Sequence, residues 1–180
     1  MMSFSFSAIR IEKSDNMGRL RFLTGELQYV KEDPESSVRN YLYIIRDKLG
    51  YENVHAFPLD FFKDGKNGTR HFSFQQTYKD VPVFGRSVRV HIGSDMITSL
   101  SSNIENIDLS IIPIITAFGA INIIQLDYIS NSTYVQYKNL QIYIQNSIPY
   151  LVHTIDAVNF EDSWRYMVDA HTGKIVDRFS

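Results

Sequence analysis

The chain is 180 residues long, 44% hydrophobic and 21% charged, with a formal net charge of −2 and no cysteine. This length suits one large domain or two small ones, and the composition excludes a disordered chain, a fibre and a disulfide framework. Near-balanced charge with no clustered Lys/Arg stripe excludes a nucleic-acid surface.

The opening MMSFSFSAIRIEK has neither a basic n-region nor an apolar h-region, so no signal peptide is read in it. GRLRFLTGEL, residues 18–27, predicts strand, turned at Gly18 and at Thr24-Gly25. DPESSVRNYLYIIRDKLGY follows with Val38, Leu42, Ile45 and Leu49 at helical spacing, Ser36 or Ser37 as cap and Gly50 as terminator. In RHFSFQQTYKDVPVFG, residues 70–85, Phe72, Phe74, Gln76 and Tyr78 share one strand face, and His71, Ser73, Gln75 and Thr77 the other. Lys79-Asp80 breaks that alternation, and Pro82, which cannot donate to a ladder, predicts a strand that starts after it or lies at an edge. Val88, Val90 and Ile92 then alternate with Ser87, Arg89 and His91, Gly93-Ser94-Asp95 signals a turn, and MITSLSS returns as strand.

The second half repeats this plan. LSIIPIITAFGAINIIQL, residues 109–126, carries no charge. A spanning helix needs roughly 20 mainly apolar residues and flanking cations, so no membrane span is expected. The stretch predicts instead a helix capped by Ser110, with Pro113 in its first turn, running to about Gln125 and buried on most sides; partner-facing apolar surface is the alternative. LQIYIQNSIPYLVHTIDAV predicts a hairpin turned at Asn146-Ser147. WRYMVDAHTGKIVDRF predicts another, with Trp164, Tyr166 and Val168 on one face and Gly173 at the turn. The expected class is α+β: two small units, each a helix packed on an antiparallel β-sheet meander, spanning 1–104 and 105–180.

Few residues offer chemistry. There is no His-Glu-x-x-His, nucleophile elbow, P-loop or dinucleotide fingerprint, and the scattered carboxylates single out no acid–base pair. His71, His91 and His153 lie in predicted strands and either converge on one metal or are ordinary hydrogen-bonded strand residues. Stoichiometric zinc would mark the first case. The expectation is no catalytic residue, no metal and no cofactor. Gln75 and Gln76 point one amide to each face of the strand: either one of them contacts a partner, or the inward amide satisfies neighbouring backbone groups. Trp164 reads as a core anchor, and His171-Thr172-Gly173 as a turn. Asn67-Gly68-Thr69 and Asn131-Ser132-Thr133 match the glycosylation sequon, a pattern common by chance.

Two motifs carry a family resemblance. RHFSFQQTYKDVPVFGRSVRVHI resembles the core of the fungalysin/thermolysin propeptide (FTP) domain at His71, Gln75, Gln76, Tyr78, Pro82, Val83, Gly85, Val90 and His91. WRYMVDAHTGKIV resembles the end of a PepSY domain at Trp164, Asp169, Ala170, His171, Thr172 and Gly173. Ser73, Asp80 and an Ile-rich second helix with only Ala117 and Ala120 depart from the family pattern. The resemblance implies the proregion of a secreted thermolysin-like zinc metalloprotease, extracellular, non-catalytic, and serving as intramolecular chaperone and inhibitor. Its implied partner is the cognate catalytic domain, with Arg178, Phe179 and Ser180 near that enzyme's active site and Phe179 in an apolar pocket. The alternative is a freestanding FTP/PepSY protein that binds or inhibits a protease or other protein in trans.

Overall fold

Alternation of apolar and polar residues runs through most of the chain, and strand accordingly dominates an α+β fold. The computed structural model describes residues 8–31, 33–127, 134–160 and 162–180. They fall into two compact units: Met1–Thr77 with Gly85–Asn106, and Tyr78–Phe84 with Ile107–Ser180.

The first unit begins with β1 (Ala8–Ser14) and β2 (Leu20–Tyr29), followed by α1 (Pro34–Ile44) and α2 (Arg46–Leu49). Then come β3 (His55–Ala56), β4 (Leu59–Asp64), β5 (Arg70–Tyr78), β6 (Val81–Gly93) and β7 (Met96–Ser102). Pairings β1–β2, β2–β7, β7–β6 and β4–β5 are antiparallel. Alternate residues Leu23, Leu27, Phe72, Phe74, Val88, Val90, Ile97 and Leu100 turn one face inward, onto Val38, Tyr41, Leu42 and Leu49 of the helices. Each such side chain contributes about 1.5–3 kcal/mol on burial.

The helix cap differs from expectation. Asp33, not Ser36 or Ser37, caps α1: its carboxylate accepts from the Ser36 amide at 3.2 Å, with Pro34 just inside the helix. Ser37 is buried and instead accepts from the Lys31 amide at 3.1 Å. Ile45 (φ −97°, ψ 11°) separates α1 from α2, and Gly50, at φ 71°, ends the pair as expected. Thr24-Gly25 is not a turn either. β2 runs straight through it, and Gly25 is needed because a Cβ there would lie 2.1 Å from the Ala8 carbonyl oxygen of β1.

The hairpins close on two-residue turns with positive φ at both positions: Lys79-Asp80 (47°, 67°), Ser94-Asp95 (49°, 61°) and Asn146-Ser147 (51°, 65°). That conformation matches the right-handed twist of the flanking strands. β6 starts at Val81, so Pro82 lies inside the strand's first turn of pairing rather than before it.

The second unit contains α3 (Ala117–Asp127), β8 (Tyr134–Gln145), β9 (Ile148–Val158), β10 (Ser163–Asp169) and β11 (Ile175–Phe179). β8–β9, β9–β10 and β10–β11 are antiparallel, while Val83 pairs in parallel with Ile142. Ala120 and Ile124 of α3 are fully buried among Ile155, Ala157, Tyr166 and Val168. Trp164 packs at the rim of this cluster, partly exposed, rather than at its centre.

The helix predicted from Ser110 begins instead at Ala117. The backbone amides of Ile114 and Ile115 both donate to the Ala170 carbonyl at 2.8 Å, which ties this stretch to a turn instead of to a helical ladder. Pro113 also biases Ile112 toward extended backbone. The Thr116 hydroxyl then accepts from the Gly119 amide at 3.1 Å, as an N-cap does. Among the described residues no helix is long and apolar enough to cross a membrane.

Candidate functional site

Arg178, Phe179 and Ser180 lie at the end of β11 and just beyond it. Phe179 faces Arg165 of β10 in the ladder, and its ring centroid is 6.0 Å from that of Phe84, which in turn is 5.8 Å from Tyr143. The Tyr143 hydroxyl donates to the Asp177 carboxylate, and the Gln145 amide donates to the Val176 carbonyl at 3.2 Å. That hydrogen bond, then burial, then the charge of Asp177 push the Tyr143 phenol up to about 12. The Arg178 guanidinium lies 5.3 Å from the centre of the Trp164 ring and 3.6 Å from the Asp127 carboxylate at the end of α3. The ladder and Trp164 hold β11 to β10, and aromatic contacts, hydrogen bonds and charge tie it to Phe84, Tyr143, Gln145 and Asp127, while its other edge pairs with no described strand. Such an edge can accept an additional strand.

The same unit exposes unusual apolar surface. Ile112, Ile114, Phe118 and Leu126 are each more than 70% exposed. The segment expected to be buried on most sides is thus buried on one, because seven residues that would have wound into helix run as irregular chain before it. Phe118 and Leu126 share the outward side of α3 with Asn122 and Gln125, so no charge interrupts that side.

In the first unit, the inward amide is Gln76, which has no exposed surface. It pairs with the backbone of Glu105 as another strand would: Nε2 donates to the Glu105 carbonyl at 2.5 Å, and Oε1 accepts from the Glu105 amide at 3.0 Å. Nε2 also donates to His55 Nδ1 at 3.0 Å, so buried His55 presents a lone pair there. Burial holds the His55 imidazole below its ordinary value. The Glu105 carboxylate in turn accepts from Arg19 and Arg21, at 3.1 Å for the latter, and Asp15 bridges the same guanidiniums at 2.9 and 2.7 Å. Burial would raise Asp15, but donors from the Arg19 and Met17 amides and from both guanidiniums hold it well below the usual carboxylate range. The inward amide thus satisfies backbone groups, as the second of the two readings has it. The ionic network behind it was not anticipated; Arg19 and Arg21, two apart across the start of β2, were its visible sign.

The three strand histidines do not assemble into one site. His153 donates from Nε2 to the Ile115 carbonyl at 2.7 Å, and its Nδ1 accepts from the Tyr137 hydroxyl at 3.3 Å, which occupies both ring nitrogens. His71 and His91 do meet, Nδ1 to Nδ1. Among the described residues no group of three potential metal ligands comes together. His171-Thr172-Gly173 is a turn held by Asp169, whose carboxylate accepts from the His171 amide at 2.8 Å and from the Thr172 hydroxyl at 2.8 Å. Of the two sequons, Asn67-Gly68-Thr69 lies in a short 3₁₀ turn, and Asn131-Ser132-Thr133 lies outside the described residues.

Residues 59–104 match the family described as the Fungalysin/Thermolysin Propeptide Motif. The chain is 25% identical to bacillolysin of Brevibacillus brevis over 179 aligned positions, which cover 85% of this chain and 34% of bacillolysin. It is 25% identical to thermolysin of Alicyclobacillus acidocaldarius subsp. acidocaldarius over 206 positions, covering 100% of this chain and 37% of that protein. The solved Bacillus megaterium YpeB C-terminal domain is similar at a TM-score of 0.43 and 12% identity, over 89% of this chain and 71% of that one. The chain spans little more than a third of the length of these curated relatives.

Proposed function

From the match of residues 59–104 to the propeptide motif and the similarity to bacillolysin and thermolysin, we propose that this chain has the FTP–PepSY make-up of a thermolysin-like metalloprotease proregion and acts as the intramolecular chaperone and inhibitor of a secreted zinc protease's catalytic domain. The observation that carries this is a propeptide motif at residues 59–104 within a chain that aligns end to end with part of thermolysin. In this reading residues 1–104 form the FTP-like domain and 105–180 the PepSY-like domain, each a helix on an antiparallel meander. The chain itself turns over no substrate and works outside the cell, as part of its precursor.

The physical task is differential affinity. A segment that binds only the native-like state of the protease stabilises that state and the path to it. The uncharged outward side of the second unit, with Ile112, Ile114, Phe118 and Leu126, offers the apolar area such a contact needs. The unpaired edge of β11 offers backbone groups to an enzyme strand, which brings Arg178, Phe179 and Ser180 to the cleft. Covalent linkage in a precursor raises the effective concentration, so modest contacts suffice until cleavage.

The test adds the purified chain in trans to the mature protease of its own precursor. Inhibition of that enzyme and faster recovery of its denatured form are expected. Ile114→Asp and Phe118→Asp should weaken inhibition about tenfold or more without lowering the chain's melting temperature, since both side chains are exposed. Neither inhibition nor assisted refolding by the wild-type chain would overturn the proposal.

A further inference from the structure

His71 on β5 and His91 on β6 alternate with core residues Phe72 and Val90, and so share the face of the first unit's sheet that turns away from its core. Their rings lie 4.6 Å apart, centroid to centroid, with Nδ1 facing Nδ1. Neither imidazole makes another side-chain hydrogen bond among the described residues. They line a cavity of about 510 Å³ together with Asp60, Lys63, Ser73 and Arg89.

We propose that His71 and His91 form a two-imidazole site for a divalent transition metal such as Zn²⁺ or Ni²⁺, clipping β5 to β6, with water filling the remaining positions. Where the rings meet, one Nδ1–H donates to the other ring's Nδ1 lone pair; moving that proton to Nε2 leaves two nitrogen lone pairs aimed at one point, which is what these ions seek. Metal–nitrogen bonds of about 2.0–2.1 Å need the two Nδ1 atoms roughly 3 Å apart, a separation reached by small ring rotations into the open cavity. The surroundings set the selectivity. Lys63, opposite His71 in the β4–β5 ladder, and Arg89 add positive charge, against one carboxylate, Asp60. Oxygen-seeking Mg²⁺ and Ca²⁺ therefore find little there, whereas a metal bound by neutral imidazole is repelled but still ligated. With two protein ligands and open positions the site is exchangeable rather than a structural zinc of the four-ligand kind. Nothing in this inference depends on the proregion reading.

The experiment titrates the full 180-residue chain with ZnCl₂, NiCl₂ and MgCl₂ while imidazole ¹H–¹⁵N correlations are followed. Zn²⁺ should move the His71 and His91 Nδ1 signals together and saturably with 1:1 stoichiometry, paramagnetic Ni²⁺ should broaden the same two signals selectively, and both should raise the melting temperature; Mg²⁺ should do neither. His71→Gln should abolish the effect on His91, while His153→Gln should leave it unchanged. Unmoved His71 and His91 signals up to about 1 mM Zn²⁺, the weak end of specific binding, would overturn the proposal in the wild-type chain itself. So would equal responses to Mg²⁺, or shifts confined to His55, His153 or His171.

Discussion

Replacing Gln76 with Leu keeps the side-chain volume close to constant but removes the amide that closes on the Glu105 backbone. Three polar groups then lose their partner: the Glu105 amide at 3.0 Å, the Glu105 carbonyl at 2.5 Å and His55 Nδ1 at 3.0 Å. An orphaned buried group costs about 1–3 kcal/mol. Glu105 is partly exposed, so water recovers a share at its backbone, whereas His55 is only 6% exposed. A net loss of about 3 kcal/mol is expected for the first unit, somewhat more than a hundredfold in its folded-to-unfolded ratio. Gln75→Leu is the matched control: Gln75 faces the other side of β5, and its own backbone amide still donates to the Pro58 carbonyl at 3.0 Å. That control should cost less than about 0.5 kcal/mol. The assay is native-state hydrogen exchange of the Glu105 amide, with urea denaturation followed by far-UV circular dichroism. Trp164, the chain's one tryptophan, belongs to the second unit, so its fluorescence midpoint reports that unit separately. Equal, small losses for both variants, with Glu105 exchange unchanged, would refute the assignment of Gln76 as a backbone clasp.

Further outcomes follow from the same geometry. Gly173→Ala should destabilise the second unit by about 1–3 kcal/mol by Trp164 fluorescence, because Gly173 sits at φ 77° and a Cβ would lie 3.1 Å from Ile123 Cδ1; a neutral result would mean that the turn relaxes freely. Tyr143→Phe should cost about 1–2 kcal/mol and speed amide exchange along 175–179, since it deletes the hydrogen bond to Asp177. In the wild type, two tyrosines, Tyr41 and Tyr143, should ionise near 12 by ultraviolet titration, and the variant should retain only one of them in that range. His55, held below its ordinary value by burial, binds protons more weakly folded than unfolded. Its contribution is therefore complete above about pH 6.5, is lost as pH falls from there toward the depressed folded value, and levels off below it. Protonating Nδ1 also ejects the Gln76 donor. A His55→Phe variant should show a flatter melting-temperature profile between about pH 7.5 and 5, and an unchanged slope would contradict this.

Most strands were legible because one face of each is buried and the other is not, so period two survives in the residues; Phe72, Phe74, Val90 and Ile92 are the clearest case. Hairpin turns were legible from Lys79-Asp80, Ser94-Asp95 and Asn146-Ser147, where local chemistry decides the backbone. What failed was decided at long range. Nothing near Ile114 or Ile115 announces that their amides are taken by Ala170, some 55 residues on, so the start of α3 was misplaced. Gly25 looked like a turn because its real reason, the approach of Ala8, lies on another strand. The His71–His91 contact was hidden by register. Counting back from the turn sets His71 opposite Val88, whereas the side chain His71 meets is His91. The exposed side of Ile112–Leu126 was equally hidden, since apolar composition does not say which apolar residues lack a neighbour.

The tip of the β5–β6 hairpin is counted with the second unit, although the rest of both strands belongs to the first. Tyr78 and Val83, at that tip, are completely or almost completely enclosed by Ile107, Ile142, Leu151 and Ala170. Genetic dissection at residue 105 would therefore hand the C-terminal piece a hole in its interior and strip Ile142 of its parallel neighbour. Excised halves of this polypeptide should be stickier and less soluble than the intact chain, and the seven residues 78–84 supplied as a peptide are the fragment that should rescue the latter half.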